Sequence, residues 1–182
     1  FKYALAQPVI YEPGTVFQYS TAEAGRLAAV IQQAVGGRQQ DIYNFYQNEL
    51  FHKIDIRSAF IEFDVMGNMV GGAYGFMAPR DWARMGQLYL QKGEWNGQQI
   101  LSQEWVEFAT RPSSAAENYG GQIWLNTNGA RWPSVPHDAF YFAGHQGQRV
   151  VVIPSKKLVV VRTGVTEDVD LQRVTVSSLL EG

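Results

Sequence analysis

The sequence predicts a mixed α/β fold of the α+β kind: a mainly helical stretch over residues 1–118, then antiparallel strands and a closing helix over residues 119–182. Three observations predict it. Capped apolar segments at helical spacing recur between Ser20 and Thr110. The character changes after Arg111-Pro112-Ser113-Ser114, where strand-like runs replace them. Two Val/Ile runs, Arg149 to Ile153 and Leu158 to Arg162, flank the turn sequence Pro154-Ser155-Lys156-Lys157.

Taken in order, Pro13-Gly14 marks a turn. Ser20-Thr21-Ala22-Glu23 reads as a capping box, the Ser20 hydroxyl accepting from the Glu23 amide while the Glu23 carboxylate reaches back. Leu27, Val30, Ile31, Ala34 and Val35 then supply an apolar helix face, stopped by Gly36-Gly37. A second helix is expected from about Gln40 to Phe51, with Ile42, Phe45, Tyr46 and Leu50 inward. Residues 67–75 are glycine-rich and irregular. Pro79 opens a third helix that faces Trp82, Met85, Leu88, Tyr89 and Leu90 inward, and Asp81 suits its first turn. Gly93 closes it, Glu94-Trp95-Asn96-Gly97 is a tight turn, and Ser102 caps a short helix to Thr110. Strands follow at residues 121–126, 140–142, 149–153 and 158–162, with a long polar loop through Pro136 after the first. The uninterrupted Val/Ile runs need cover on both faces. A helical tail from about Asp168 to Leu180 covers one, and the other needs a layer not evident in this chain.

Composition narrows the function classes. With 46% apolar and 18% charged residues, the 182-residue chain can bury a core and is not of disordered composition. A net charge of −2 without a basic run gives no case for nucleic acid. No stretch approaches the roughly 20 apolar residues of a membrane span. The absence of cysteine removes disulfides and thiol catalysis, and His52, His137 and His145 form no ligand pair, so no metal site is expected. Asp64 and Glu62 stand alone as a carboxylate pair, with nothing else pointing to glycosidase chemistry. The glycine pairs Gly71-Gly72 and Gly120-Gly121 read as turn and packing residues.

Two short stretches carry chemistry: Tyr19-Ser20-Thr21 and His145-Gln146-Gly147-Gln148. Acyl transfer by serine needs a base for the hydroxyl, donors for the developing oxyanion and an acid for the leaving group. A tyrosine beside cations can act as the base. Glycine at a strand edge lets a substrate carbonyl approach the backbone. Tyr19, before a capped helix, and Gly147, opening a strand, suit these two tasks. Each also has a plainer reading, Tyr19 as a core staple and His145 as a strand-end residue satisfied by backbone.

In this order and spacing the chain resembles the serine β-lactamase and penicillin-recognising superfamily, whose motifs run Ser-x-x-Lys, Ser/Tyr-x-Asn and Lys-Thr-Gly. It is most similar to the class-C-like branch of esterases and amide hydrolases that includes 6-aminohexanoate-dimer hydrolase and related carboxylesterases, where the third motif commonly reads His-x-Gly. Glu12-Pro13-Gly14-Thr15, Asp81 to Gly86, Trp95 to Leu101, Tyr119-Gly120 and Gly144 to Val152 extend the likeness over nearly all the chain.

The resemblance implies a β-lactamase-like antiparallel sheet flanked by helices, with a helical subdomain and an incomplete N-terminal side. The chain would then be the C-terminal portion of one domain. Tyr19 would be the catalytic tyrosine, His145 would take the Lys position of the third motif, and the Gln148 amide beside Gly147 would be an oxyanion donor. Tyr19 and His145 would face a shared cavity. No serine in the chain has lysine three positions on, so the nucleophile motif is expected in an N-terminal segment outside it, and the chain alone is expected to be inactive.

Thr21 stands where many relatives carry Asn, and His145 is a weaker, pH-dependent cation than Lys. Both favour an ester or linear amide over a β-lactam. Tyr119 and Trp124, with Trp132 and Tyr74, are candidates for an acyl pocket and equally for core or rim. The mechanism implied needs no metal or cofactor, and the resemblance favours an exported or periplasmic protein. Two alternatives stay open: a non-catalytic binding module on the same fold, and D-amino-acid peptidase or β-lactamase activity.

Overall fold

The computed structural model describes residue 6, residues 8–167 and residues 177–178. The chain falls into two compact units, Phe1–Asp81 and Trp82–Gly182.

In the first unit Pro13-Gly14 forms the expected turn, with Gly14 at φ 82° and both the Thr15 amide and hydroxyl donating to the Glu12 carbonyl. Helix α1 (Thr21–Ala34) begins at the Ser20 N-cap. The capping box is not made. The Ser20 hydroxyl accepts from the Ala22 amide at 3.2 Å, and Glu23 turns instead to Arg26 at 3.1 Å. A salt bridge within reach on the helix surface competes successfully with the return bond to the N-cap amide.

The buried face of α1 is also not the expected one. Leu27, Val30 and Ile31 are 50%, 65% and 36% exposed, whereas Ala28, Ala29 and Gln32 are buried. Backbone shape decides this. The Gly71-Gly72 segment lies so close that a Cβ on Gly71 would stand 2.7 Å from Ala28 Cβ, and one on Gly72 would stand 2.5 Å from Thr21 Cγ2. Only small residues on both sides permit that approach. Gln32 is buried because it is satisfied: Nε2 donates to the Gly37 and Gly67 carbonyls, and Oε1 accepts from the Met69 amide.

Helix α2 (Gln39–Tyr46) is shorter than expected, continuing as a widened π turn (Gln47–Phe51) and a 3-10 turn (His52–Ile54). Ile42, Phe51, Ile54 and Ile56 are buried here. Phe45 is exposed, not inward, and Tyr46 stacks on Phe51 at 6.0 Å between ring centroids. Strands β1 (Phe60–Ile61) and β2 (Gly75–Phe76) pair antiparallel. Between them Asp64 caps a turn by accepting from the Met66 and Asn68 amides and the Asn68 carboxamide, which hold its carboxyl below the usual range, the Asn68 carboxamide foremost. Asp81, in the first turn of helix α3 (Pro79–Leu90), does more than complement a dipole. Its buried carboxylate accepts from the Arg57 amide and from the Ser58 amide and hydroxyl.

The second unit is built on a four-stranded antiparallel meander: β5 (Trp124–Leu125), β6 (Phe140–Ala143), β7 (Arg149–Ile153) and β8 (Leu158–Arg162), in that spatial order. Before it, β3 (Glu94–Trp95) and β4 (Gln98–Gln99) form a hairpin whose Asn96 and Gly97 both have positive φ. Ser102 caps α4 (Gln103–Ala109) by accepting from the Trp105 amide. The first predicted strand is cut to two paired residues. Gln122 has φ 66°, and Gly120 and Gly121 are pressed onto the end of α4, with a Cβ on Gly120 falling 2.2 Å from the Ala109 carbonyl oxygen.

Alternation along the strands sorts the core into two layers. Tyr141, Val151 and Ile153 pack with Trp132, Val135 and Ala139 on one face. Phe140, Leu125 and Val152 pack with Ile123 and Ala109 on the other, joined by Tyr89 and Leu90 of α3. The expectation of an uncovered face is therefore corrected. Helices α3 and α4 cover one side of β6 and β7, and the segment from 126 to 139, polar by composition, covers the other. The expected tail helix lies outside the described residues except at 177–178, which are helical.

Gly86 lies where α3 packs tightly against this sheet. A Cβ there would stand 2.6 Å from Val159 Cγ1 and 2.9 Å from Val150 Cγ1. Gly86→Ala gains about 1 kcal/mol of helix propensity. Against stiff β-branched neighbours overpacking costs about 1–3 kcal/mol. The variant is expected to unfold at lower urea than wild type; a higher midpoint would mean that α3 shifts without cost.

Candidate functional site

Tyr19 directly precedes the Ser20 N-cap and is 60% exposed. Thr21 is the first residue of α1, its methyl group against Gly72. Both belong to the first unit, and the remaining candidates belong to the second.

His145, Gly147 and Gln148 are brought together on one turn between β6 and β7. Residues His145–Gly147 form a single 3-10 turn, with Gln146 at φ 52° and Gly147 at φ 92°, and β7 begins only at Arg149. The His145 side chain is exposed, whereas Gly147 is buried. The Gln148 amide donates to the His145 carbonyl at 3.3 Å, and the Gly144 amide donates to the Gln148 carbonyl at 2.9 Å. The first of these is beyond the usual range for N–H···O, so the Gln148 N–H is only weakly engaged.

Side chains that sequence reasoning did not single out hold this turn. The Gln148 carboxamide pairs with the backbone of Gly164, Oε1 accepting from its amide at 3.0 Å and Nε2 donating to its carbonyl. Arg149 Nη1 donates to the Gly144 carbonyl at 2.9 Å and the Gln148 carbonyl at 2.7 Å. Arg162 Nη1 donates to the Gly147 carbonyl at 2.7 Å, and its Nη2 donates to the Thr166 hydroxyl. The Thr166 amide in turn donates to the Gln146 carbonyl at 2.9 Å. Arg149 and Arg162 are direct cross-strand partners, and burial, then the charge of Arg131, pulls the Arg149 guanidinium below its ordinary pKa. The sequence did hold a signal: one arginine opens the first Val/Ile run and the other closes the second, which places both at the open end of one hairpin.

Tyr119 is buried and meets Trp124 edge-on at 4.8 Å, and Trp124 stacks on Tyr141 at 6.4 Å. Trp132 meets Tyr141 at 4.6 Å and is fully buried, so these rings form one aromatic row on the loop-covered face. Tyr74 is exposed. Among the described residues no three His, Asp or Glu side chains gather as a metal site, and no helix is long and apolar enough to cross a membrane.

This antiparallel meander, with helices on one face and His145–Gly147 on the turn between its second and third strands, superposes on solved structures of the β-lactamase-like fold. A protein assigned as a 6-aminohexanoate-dimer hydrolase from Bacillus anthracis superposes with a TM-score of 0.76 at 24% identity, over 98% of this chain and 48% of that one. A β-lactamase from Mycobacterium bovis gives 0.73 at 14% identity over 94% and 66%. A penicillin-binding protein homologue from Caulobacter crescentus gives 0.68 at 13% identity over 97% and 62%. The chain thus has the fold of the serine β-lactamase and penicillin-recognising proteins, and it spans about half the length of the first of these structures. No protein-family model and no curated protein matches it.

Proposed function

We propose that the chain is part of a serine hydrolase that cleaves an ester or a linear amide through an acyl-enzyme, its nucleophile lying in a Ser-x-x-Lys segment outside these 182 residues. The observation that carries the reading is the His145–Gln148 turn joining the ends of β6 and β7 in a β-lactamase-like sheet, holding a weakly engaged backbone N–H.

In this mechanism the serine hydroxyl loses its proton to the Lys and Tyr19 pair as Oγ bonds to the substrate carbonyl carbon. The carbonyl oxygen takes the electron pair and is held by the nucleophile's amide and that of Gln148. Collapse breaks the C–O or C–N bond, and the leaving alcohol or amine receives the proton through Tyr19. Water then adds to the acyl group, gives its proton to the same pair, and releases the acid and the serine. Thr21 offers one hydroxyl where a carboxamide would bridge substrate and lysine, and His145 offers an imidazole in place of an ammonium. Both favour substrates simpler than a β-lactam.

Thr21 also supports a second reading, a binding module that keeps the fold without turnover. A fluorophosphonate probe separates the two. Full-length protein is expected to take up one equivalent on serine and these residues alone none. Stoichiometric labelling of the isolated residues would refute the nucleophile assignment. A full-length protein that stays unlabelled would favour the binder.

A further inference from the structure

We propose that Arg162, seconded by Arg149, is the positioning residue for the oxyanion donor at Gln148; this rests on the function proposed above. The Gly147 carbonyl and the Gln148 N–H belong to one peptide unit, and that unit is planar with the two groups pointing in opposite directions. Whatever fixes the carbonyl therefore aims the N–H.

Arg162 Nη1 fixes it, at 2.7 Å, a distance typical of a charge-assisted bond. The need is real at this position. Gly147 sits at φ 92°, where no side chain restrains the backbone, and the long 3.3 Å bond from Gln148 to His145 is too weak to define the plane. A positive charge at the carbonyl end also polarises the peptide, which strengthens its N–H as a donor to an oxyanion.

The guanidinium is itself held. Its Nη2 donates to the Thr166 hydroxyl, and the Thr166 amide returns to the Gln146 carbonyl within the same turn. Its cross-strand partner Arg149 holds the carbonyls on either side, at Gly144 and Gln148. Three carbonyls of one short turn are thus directed by two arginines, and the one belonging to the donor peptide goes to Arg162.

The experiment compares wild type, Arg162→Gln and Arg162→Lys in two readouts. In full-length protein hydrolysing an activated ester, Arg162→Gln is expected to lower kcat about 10–100-fold, with KM within about twofold. That is less than the 10²–10³ typical of deleting an oxyanion donor outright. Arg162→Lys, which keeps the charge, should recover part of the loss. In the same full-length protein, the Gln148 amide proton should move upfield in Arg162→Gln and less in Arg162→Lys, while the Val151 and Val160 amides stay in place. An unmoved Gln148 amide, or a kcat equal to wild type, would overturn the proposal, as would a lysine variant no better than glutamine. An inactive wild type would sink the hydrolase reading instead, and the amide shift would still decide whether Arg162 orients and polarises this peptide.

Discussion

Tyr19→Phe in the full-length protein is expected to lower kcat by about 10²–10⁴-fold, the range for removing a positioned acid–base group. The substitution deletes one oxygen and keeps the ring. Because the side chain is 60% exposed before the Ser20 N-cap, the cost to stability should stay within about 0.5 kcal/mol. Tyr43→Phe, another exposed phenol on a helix of the same unit, serves as the control and should leave kcat unchanged. The measurement is steady-state hydrolysis of an aryl ester, with urea unfolding run alongside. Because the same group serves both steps, acylation and deacylation should slow together, so the steady-state fraction of acyl-enzyme should stay close to that of wild type. If Tyr19→Phe turns over like wild type, the base is another group and Tyr19 reverts to a packing role.

Much of the sheet was legible because its signals are local. The Val/Ile runs of β7 and β8 and the Pro154 to Lys157 turn define a hairpin within fourteen residues, and the structure pairs Val151 with Val160 as that hairpin requires. The ends of α3 and α4, and the Asn96-Gly97 hairpin, were equally readable from proline, serine and glycine chemistry. What failed was long-range. The inward face of α1 is chosen by Gly71-Gly72, more than forty residues on, and a periodicity count sees only that Leu27, Val30 and Ile31 are apolar. The same limit hid the supports of the candidate site. His145, Gly147 and Gln148 were found as a contiguous motif, but the Arg162 bond to Gly147 and the Gly164 bonds to Gln148 close across the sheet. No spacing rule anticipates a side chain that acts on another segment's backbone.

Asn126→Ala is expected to destabilise the chain by about 3–5 kcal/mol, a large share of the roughly 5–15 kcal/mol available to a typical domain. The segment after β5 reads as a polar loop, yet it forms the layer over one sheet face through Trp132, Val135 and Ala139. A buried loop must satisfy its own backbone, and Asn126, fully buried, does this from the centre. Its Oδ1 accepts from the Arg131 and Trp132 amides at 3.1 and 2.9 Å. Its Nδ2 shares two protons among the carbonyls of Trp132, Val135 and Pro136 at 3.0, 3.2 and 3.3 Å. Alanine leaves five backbone groups without this partner, each costing about 1–3 kcal/mol where water cannot enter, and local rearrangement recovers part of the sum. Asn126→Asp isolates the donor half. It keeps the acceptor for Arg131 and Trp132 but turns a second carboxylate oxygen toward three carbonyls. The charged form is thereby disfavoured in the folded state, so the carboxyl titrates higher folded than unfolded. The deficit then grows as pH rises through the ordinary carboxylate range and fades below it. Urea unfolding of both variants across that range checks the expectation, with Asn126→Asp approaching wild type only at acid pH after correction for the wild-type trend. An alanine variant with an unchanged midpoint would mean that Trp132 and its neighbours are held over the sheet by packing alone.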